Sequence, residues 1–271
     1  MLTHPTLEQM KALRLWGMAK ALEEQLQMTD IGALSFEDRL GLLIDREAIE
    51  KENRRLQTRL RKAKLAQAAC VEDLDCTARR GVDRTLAAKL IACDWIGERL
   101  NVIVTGPTGV GKSYWACALG QKACRDGYSV EYHRVPRLFP DLHLAKGDGR
   151  YETLLRRLAK TDLLILDDWG LYPMNDDARR DCLELLEDRC GKRSTVVTSQ
   201  IPLDHWHETV GDPTLADAIL DRLVHNAYKI ELKGESMRKR TIPQGTRHGA
   251  PLENTESKKK SRIVQPRKGS T

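Results

Sequence analysis

Between residues 6 and 28 apolar side chains return every three or four positions: Leu7, Met10, Leu13, Met18, Leu22 and Leu26. That spacing places them on one face of a helix, and Thr6 and Gln9 stand at the capping-box interval that would start it. "GALSF" interrupts the pattern. Ser35 and Asp38 then predict the cap of a longer helix running to about residue 67, with Leu40, Leu43, Ile44, Leu56 and Leu60 on one side. A short helix over about 84–98 follows "ARRGVDR". From residue 101 the pattern changes to strand-like runs, "NVIVTG" (101–106), "SVEYHRV" (129–135), "LLILDD" (163–168), "STVVTSQ" (194–200) and "AYKIELK" (227–233). Helical stretches separate them: "SYWACALGQKACRDG", about 151–159, about 176–190 and about 214–225. Such alternation predicts an α/β fold, a mainly parallel sheet covered by helices on both faces. No internal repeat is visible.

Composition sharpens this picture in three places. An apolar share of 41% suffices for a sizeable core, and two Phe, five Trp and six Tyr leave it to be built mostly of aliphatic residues. No stretch approaches the roughly 20 apolar residues of a membrane span, and "MLTHPTLEQMKALRLWG" lacks the regions of a signal peptide. Seven cysteines, an odd number with no CxxC pair, include Cys70, Cys93, Cys117, Cys124 and Cys182 in helix-like segments, so most of them read as small buried hydrophobes in a reducing cytosol. His205 and His207 flank Trp206 without further ligands, so no structural metal is expected. The net charge of +6 is uneven: from Lys233 onward eleven Lys or Arg face three Glu, giving +8, and the rest of the chain is near −2. From about residue 243 apolar periodicity fades, which predicts a disordered basic tail. The organisation is a helical N-terminal region over 1–75, an α/β core over 76–242 and the tail over 243–271.

"GPTGVGKS", residues 106–113, fits G-x-x-x-x-G-K-[ST] between a predicted strand and a predicted helix. Gly106, Pro107, Thr108, Gly109, Val110 and Gly111 would wrap their backbone N–H groups round the phosphates of ATP. Lys112 would reach the β- and γ-phosphates, and Ser113 would ligate Mg²⁺. This gives a reason for two adjacent aspartates at the end of an aliphatic strand, which would otherwise repel each other. The acidic strand end is expected beside the phosphate loop, with Asp167 on Mg²⁺. Asp168 either polarises the attacking water or caps the next turn. "VVTSQ" ends a strand in polar residues; Gln200 is the first candidate to hold that water and Ser199 the second, unless the strand end is simply polar.

Taken together, "RGVDR", "NVIVTGPTGVGKSYWACALG", "LLILDDWG", "TVVTSQIPLDHWHETVGD" and "LADAILDRLVHNAYKIELKGESMRK" resemble the IstB family. These are ATP-binding helpers of insertion-sequence transposition, AAA+ ATPases related to DnaC-type helicase loaders. The resemblance runs from about residue 5 to 240. It implies an AAA+ sheet, an ATP-dependent homo-oligomer on DNA with ATP at its subunit interfaces, and a cognate transposase as partner. It also implies that Arg222, in "ILDRL", is an arginine finger for a neighbour's ATP, with a surface ion pair as the plainer role. Arg238 matches a possible second sensing arginine. The chain departs from the family's common Asp-Glu pair by having Asp-Asp, which makes ATP binding a firmer expectation than hydrolysis.

"KENRRLQTRLRKAK", residues 51–64, carries seven basic residues against one acid on a predicted helix. Arg54, Arg55, Arg59, Arg61 and Lys62 could follow duplex phosphates, or form a solvated face. Few aromatics interleave, so stacking on single strands is not indicated. The expected function is a cytoplasmic, DNA-dependent ATPase that assembles on target DNA and recruits or activates a transposase, hydrolysis resetting the complex. The rivals are a replicative helicase loader, a nucleotide-gated scaffold that scarcely hydrolyses ATP, and a phosphate-loop kinase. The kinase would need a lid insertion that the sequence does not contain.

Overall fold

The computed structural model describes residues 5–237. Three helices come first: α1 (Pro5–Ala12), α2 (Trp16–Gln27) and α3 (Phe36–Ala63). After α4 (Arg84–Ala92) and α5 (Asp94–Gly97) the α/β alternation begins. It runs β1 (Asn101–Thr105), α6 (Lys112–Arg125), β2 (Val130–Arg134), α7 (Val135–Gly147), α8 (Tyr151–Lys160), β3 (Leu163–Trp169), α9 (Asp176–Arg189), β4 (Ser194–Ser199), α10 (Trp206–Val210), α11 (Pro213–Val224) and β5 (Ala227–Glu231). The sheet order is β2-β3-β4-β1-β5 and every pairing is parallel. Parallel neighbours need crossovers, which the intervening helices supply.

The strands alternate their side chains between two layers. Val102, Val104, Leu163, Ile165, Val196 and Ile230 face a core shared with α4, α6 and the end of α3. Ile103, Leu164, Leu166 and Val197 face the opposite core, closed by α7–α11. The sheet is thus buried on both faces, which is why its strands read as continuous aliphatic runs and not as an apolar–polar alternation.

The N-terminal helices are held differently. Ser35 caps α3 by accepting the Asp38 N–H, as its sequence predicts. In place of one helix over 6–28 there are two, broken where Arg14 takes φ 60° and the Leu15 N–H returns to the Met10 carbonyl at 2.8 Å. No glycine or proline marks that break. The start of α2 has no cap of its own; Glu47 on α3 reaches across and accepts from the N–H groups of Gly17 (2.7 Å) and Met18 (3.1 Å). Gly17 allows the approach, since a Cβ there would overlap the backbone of Arg46 and Glu47. The stripe predicted for α3 does not lie on one side. Leu43 is buried, Leu40 and Ile44 are exposed, and Leu56 and Leu60 pack on the core. The two halves of this helix meet different partners, α2 first and then α6 and β2, and they use different faces.

Two further differences matter for the site. The predicted helix over 84–98 breaks at Cys93, which takes φ 63° and closes α4. Helix α7, unforeseen because Pro136 and Pro140 disguise its period, follows β2 directly. Pro136 stands in its first turn, where a missing N–H costs nothing, while Pro140 removes one ladder bond. No helix among the described residues is long and apolar enough to cross a membrane.

Candidate active site

At the C-terminal edge of the sheet, β1 passes through the glycine loop into α6, whose first residue is Lys112. The helix therefore points its free N–H groups and the positive end of its dipole at the loop. Gly106 takes φ 142°, and a Cβ there would run into the Leu232 carbonyl; Gly109 takes φ 81°, with Ser236 packed where its Cβ would be. The chain after β5 thus lies against the loop, and the Met237 N–H donates to the Gly109 carbonyl at 2.8 Å. Arg80, from "RGVDR", clamps this segment: its guanidinium donates to the Glu235 carbonyl at 3.2 Å, contacts the Met237 sulfur and pairs with Asp75 at 3.3 Å. Lys112 is buried, and its Nζ donates to the Pro107 carbonyl at 3.0 Å.

The acidic strand does not adjoin β1, because β4 stands between them. Ser113, in the first turn of α6, nonetheless reaches Asp167, its Oγ lying 2.9 Å from each carboxylate oxygen. Asp167 is 3% exposed and also accepts from the hydroxyls of Thr198 on β4 and Tyr132 on β2. Burial, and then the carboxylate it faces, push the Tyr132 hydroxyl far above its ordinary pKa, so it remains a donor. A hydroxyl oxygen beside a carboxylate, inside the helix N-terminus, is a hard-oxygen set that suits Mg²⁺. Ser113 and Asp167 fit that ion.

Asp168 differs from its neighbour. Among the described residues, five non-glycine positions have positive φ; Arg14, Lys64, Cys93 and Arg99 follow or cap helix ends, and Asp168 (φ 62°) alone lies inside a strand. The β3–β4 register slips here, between Leu166 and Trp169. A non-glycine residue held there costs about 1–3 kcal/mol, so the surroundings must enforce it. Thr198 Oγ1 accepts the Asp168 N–H at 3.3 Å, and Arg134 donates Nε and Nη2 to Oδ2 at 2.8 and 2.6 Å. The side chain turns to Arg134 and not to the N–H groups of the next turn.

Gln200 is exposed, and its Oε1 accepts from Thr108 Oγ1 at 2.6 Å, joining the end of β4 to the phosphate loop. Ser199 is wholly buried and engaged elsewhere, donating to the Trp169 carbonyl at 2.8 Å. Arg222, near the end of α11, lies at the other edge of the sheet. Its backbone carbonyl accepts from Asn101, the first residue of β1, and its guanidinium pairs with Glu187 at 2.7 Å. The length of β1, about 16 Å from Asn101 to Gly106 at the usual rise, separates it from its own phosphate loop.

The basic helix divides. Arg54, Arg55, Arg61 and Lys62 fall within about 120° of the circumference of α3, with Arg55, Arg61 and Lys62 exposed. Arg54 pairs loosely with Glu50 (3.5 Å) and Arg55 with Glu52 (3.8 Å). Arg59 has a structural role: its Nε donates to the Cys124 carbonyl at 2.8 Å and Nη2 to Glu52 at 2.6 Å, tying α3 to the end of α6. Arg238 and the tail lie outside the described residues.

A five-stranded parallel sheet in this order, with a phosphate loop after β1 and an acidic pair closing β3, defines a P-loop NTPase core of the AAA+ class. Its backbone superposes on that of the DnaC helicase loader with a TM-score of 0.52 at 18% identity, over 63% of this chain and all of that one. The sequence profile of the IstB-like ATP binding proteins matches residues 8–245, and the chain belongs to that family. It is 56% identical over 88% of its length to the putative insertion sequence ATP-binding protein y4pL of Sinorhizobium fredii (strain NBRC 101917 / NGR234), covering 98% of that protein. To the insertion sequence IS21 putative ATP-binding protein of Pseudomonas aeruginosa it is 33% identical over 90% of its length, covering 93% of that protein.

Three site residues escaped the sequence. Tyr132, Arg134 and Thr198 flank the acidic pair from both sides, but only the strand order makes them neighbours. The one available signal was the alternation that puts Tyr132 and Arg134 on the same side of β2.

Proposed function

We propose that this protein is an ATP-dependent helper of insertion-sequence transposition that assembles on duplex target DNA and recruits or activates a transposase. Membership of the IstB-like family and the names of its relatives support the transposition setting. The observation that carries the ATPase is the pair of unlike carboxylates at the end of β3. Asp167 sits against Ser113, where both would hold Mg²⁺, an ion that supplies charge neutralisation at the β- and γ-phosphates. Asp168 is turned out of the strand with Oδ2 fixed by Arg134. Oδ1, which Arg134 leaves clear, is the oxygen that would take the proton of the attacking water. Gln200, tied to the loop through Thr108, would orient that water. Lys112 would bind the phosphates from within the first turn of α6.

Arg222 is out of reach of its own phosphate loop, which supports its acting on a second copy's ATP. In that arrangement nucleotide bridges subunits, assembly depends on ATP, and hydrolysis releases the contact. Arg55, Arg61 and Lys62, with Arg54 beside them, would follow the DNA backbone without reading bases. ATP turnover of the wild type and Asp168→Asn, with and without duplex DNA, tests this reading. The expected result is turnover stimulated by DNA, and an Asn variant that still binds ATP and DNA but hydrolyses about 10²–10⁴-fold more slowly. Equal turnover in both proteins, indifferent to DNA, would leave Asp168 a bystander and remove the ATPase switch.

A further inference from the structure

The N-terminal edge of the sheet gathers four arginines, Arg99, Arg189, Arg193 and Arg222, of which Arg193 pairs with Asp162 at 3.6 Å and Arg222 with Glu187 at 2.7 Å. Arg189, the last residue of α9, is 1% exposed. Its guanidinium donates to the Thr195 hydroxyl and to the carbonyls of Leu158, Thr161 and Ser194, all neutral acceptors. Among the described residues no carboxylate hydrogen-bonds to it. Burial first, and then the facing charge of Arg193, lower its pKa to about 9, which still leaves it protonated at neutral pH. Buried charges are ordinarily paired. This one lines a cavity of about 80 Å³ together with Arg99, Arg193 and Arg222, and Asp221 is the one acidic residue in that lining. The volume is that of two or three waters, and a phosphoryl group is of this size.

Each arginine has a distinct posture. Arg193 is anchored through Nε to the Lys160 carbonyl (3.2 Å) and through Nη1 to that of Lys192 (3.3 Å), with Asp162 no nearer than 3.6 Å. Arg222 donates to Glu187 and to the Ala218 carbonyl, each at 2.7 Å, and three of its five N–H donors remain outside those bonds. Arg99 occupies the glycine-favoured position after α5, at φ 63°, and donates to the Gly191 carbonyl at 3.1 Å, tying down the turn that leads to Arg193. Arg189 has four of its five N–H donors engaged and contributes a fixed positive potential.

We propose that this cavity receives the terminal phosphate of ATP bound by a second copy of the chain, with Arg193 contacting it alongside Arg222 and Arg99 positioning the Arg193 turn. The proposal rests on the reading that ATP lies between subunits. It adds that the incoming phosphate meets a preformed pocket with a buried cation in its wall, and not a single arginine. The chain's own ATP cannot fill it, because β1 separates the two ends.

The test uses full-length Arg193→Ala and Arg193→Lys, with melting temperature and ATP affinity measured beside turnover. The Ala variant is expected to melt and bind ATP as wild type does, with turnover lowered about 10–1,000-fold, and the Lys variant to fall between. Mixed with Asp168→Asn, the Ala variant should regain turnover that neither has alone, because one chain brings the intact site and the other the intact arginine. Wild-type turnover by Arg193→Ala, or a mixture as inactive as its components, overturns the proposal. Loss of DNA affinity by Arg193→Ala without nucleotide also overturns it, since the phosphate received would then belong to DNA. Arg222→Ala mixed with Asp168→Asn separates the two levels. If that mixture recovers and the Arg193 mixture does not, only the second arginine is wrong; if neither recovers, the interface reading itself fails.

Discussion

The sheet and the three N-terminal helices use burial in opposite ways. In β3 and β4 nearly every side chain is buried; Thr198 donates to Asp167, while Ser194, Thr195 and Ser199 bond elsewhere. In α1–α3 and the turns between them, Leu13, Trp16, Leu26, Phe36, Leu42 and Ile44 are exposed. Beside a few buried apolar residues, Leu7, Ala19, Ala21 and Leu43, those helices are held by polar anchors: Glu47 on the start of α2, Gln25 Nε2 on the Arg39 carbonyl at 3.0 Å, and Lys11 paired with Glu23 at 3.1 Å. The comparison separates a core stabilised by area removed from water from a helical region stabilised at a few points. Changes to the first should alter folding and nucleotide chemistry together; changes to the second should leave the core chemistry intact.

The largest effect is expected at the phosphate loop. Lys112→Ala removes a buried charge from the phosphates and should weaken ATP binding about tenfold to a hundredfold or more, measured by titration with a fluorescent ATP analogue. Next come two leucines. Leu164→Ala, wholly buried on β3, should lower unfolding free energy by about 2–5 kcal/mol, whereas Leu42→Ala, 51% exposed on α3, should stay within about 0.5 kcal/mol. Comparable losses at both positions in denaturant titrations would erase the contrast. Glu47→Ala tests the anchors, and removing the carboxylate from the first turn of α2 should cost about 1–2 kcal/mol with ATP affinity unchanged. The smallest effect is in DNA binding. Alanine at Arg55, Arg61 or Lys62 should each reduce the salt dependence of duplex affinity by about one unit of log–log slope, while Arg59→Ala should act on stability.

How much the sequence discloses follows the same division. The strands are read from local runs and the phosphate loop from a glycine pattern whose mechanics fix its shape, whereas the Ser113–Asp167 contact joins residues 54 apart in the chain. Helix ends closed by Arg14 and Cys93 are invisible because neither residue is a usual terminator. The neighbours of Asp167 and Asp168 depend on β4 inserting between β1 and β3, a long-range fact with no trace in spacing. Arg59 looked like its basic neighbours until packing against Cys124 distinguished it. Arg189, the most buried cation among the described residues, carries no motif that would single it out.

The central claim is that ATP joins copies of this chain on duplex DNA, and it is tested most directly by weighing the particles formed. Protein would be mixed with a duplex long enough for several protomers, with ATP and Mg²⁺, with ADP, or with no nucleotide, and particle masses measured in solution. The account predicts multi-protomer complexes on DNA with ATP·Mg²⁺, lost with ADP and lost in Lys112→Ala. A protein that stays monomeric and off the DNA at saturating ATP·Mg²⁺ would contradict it.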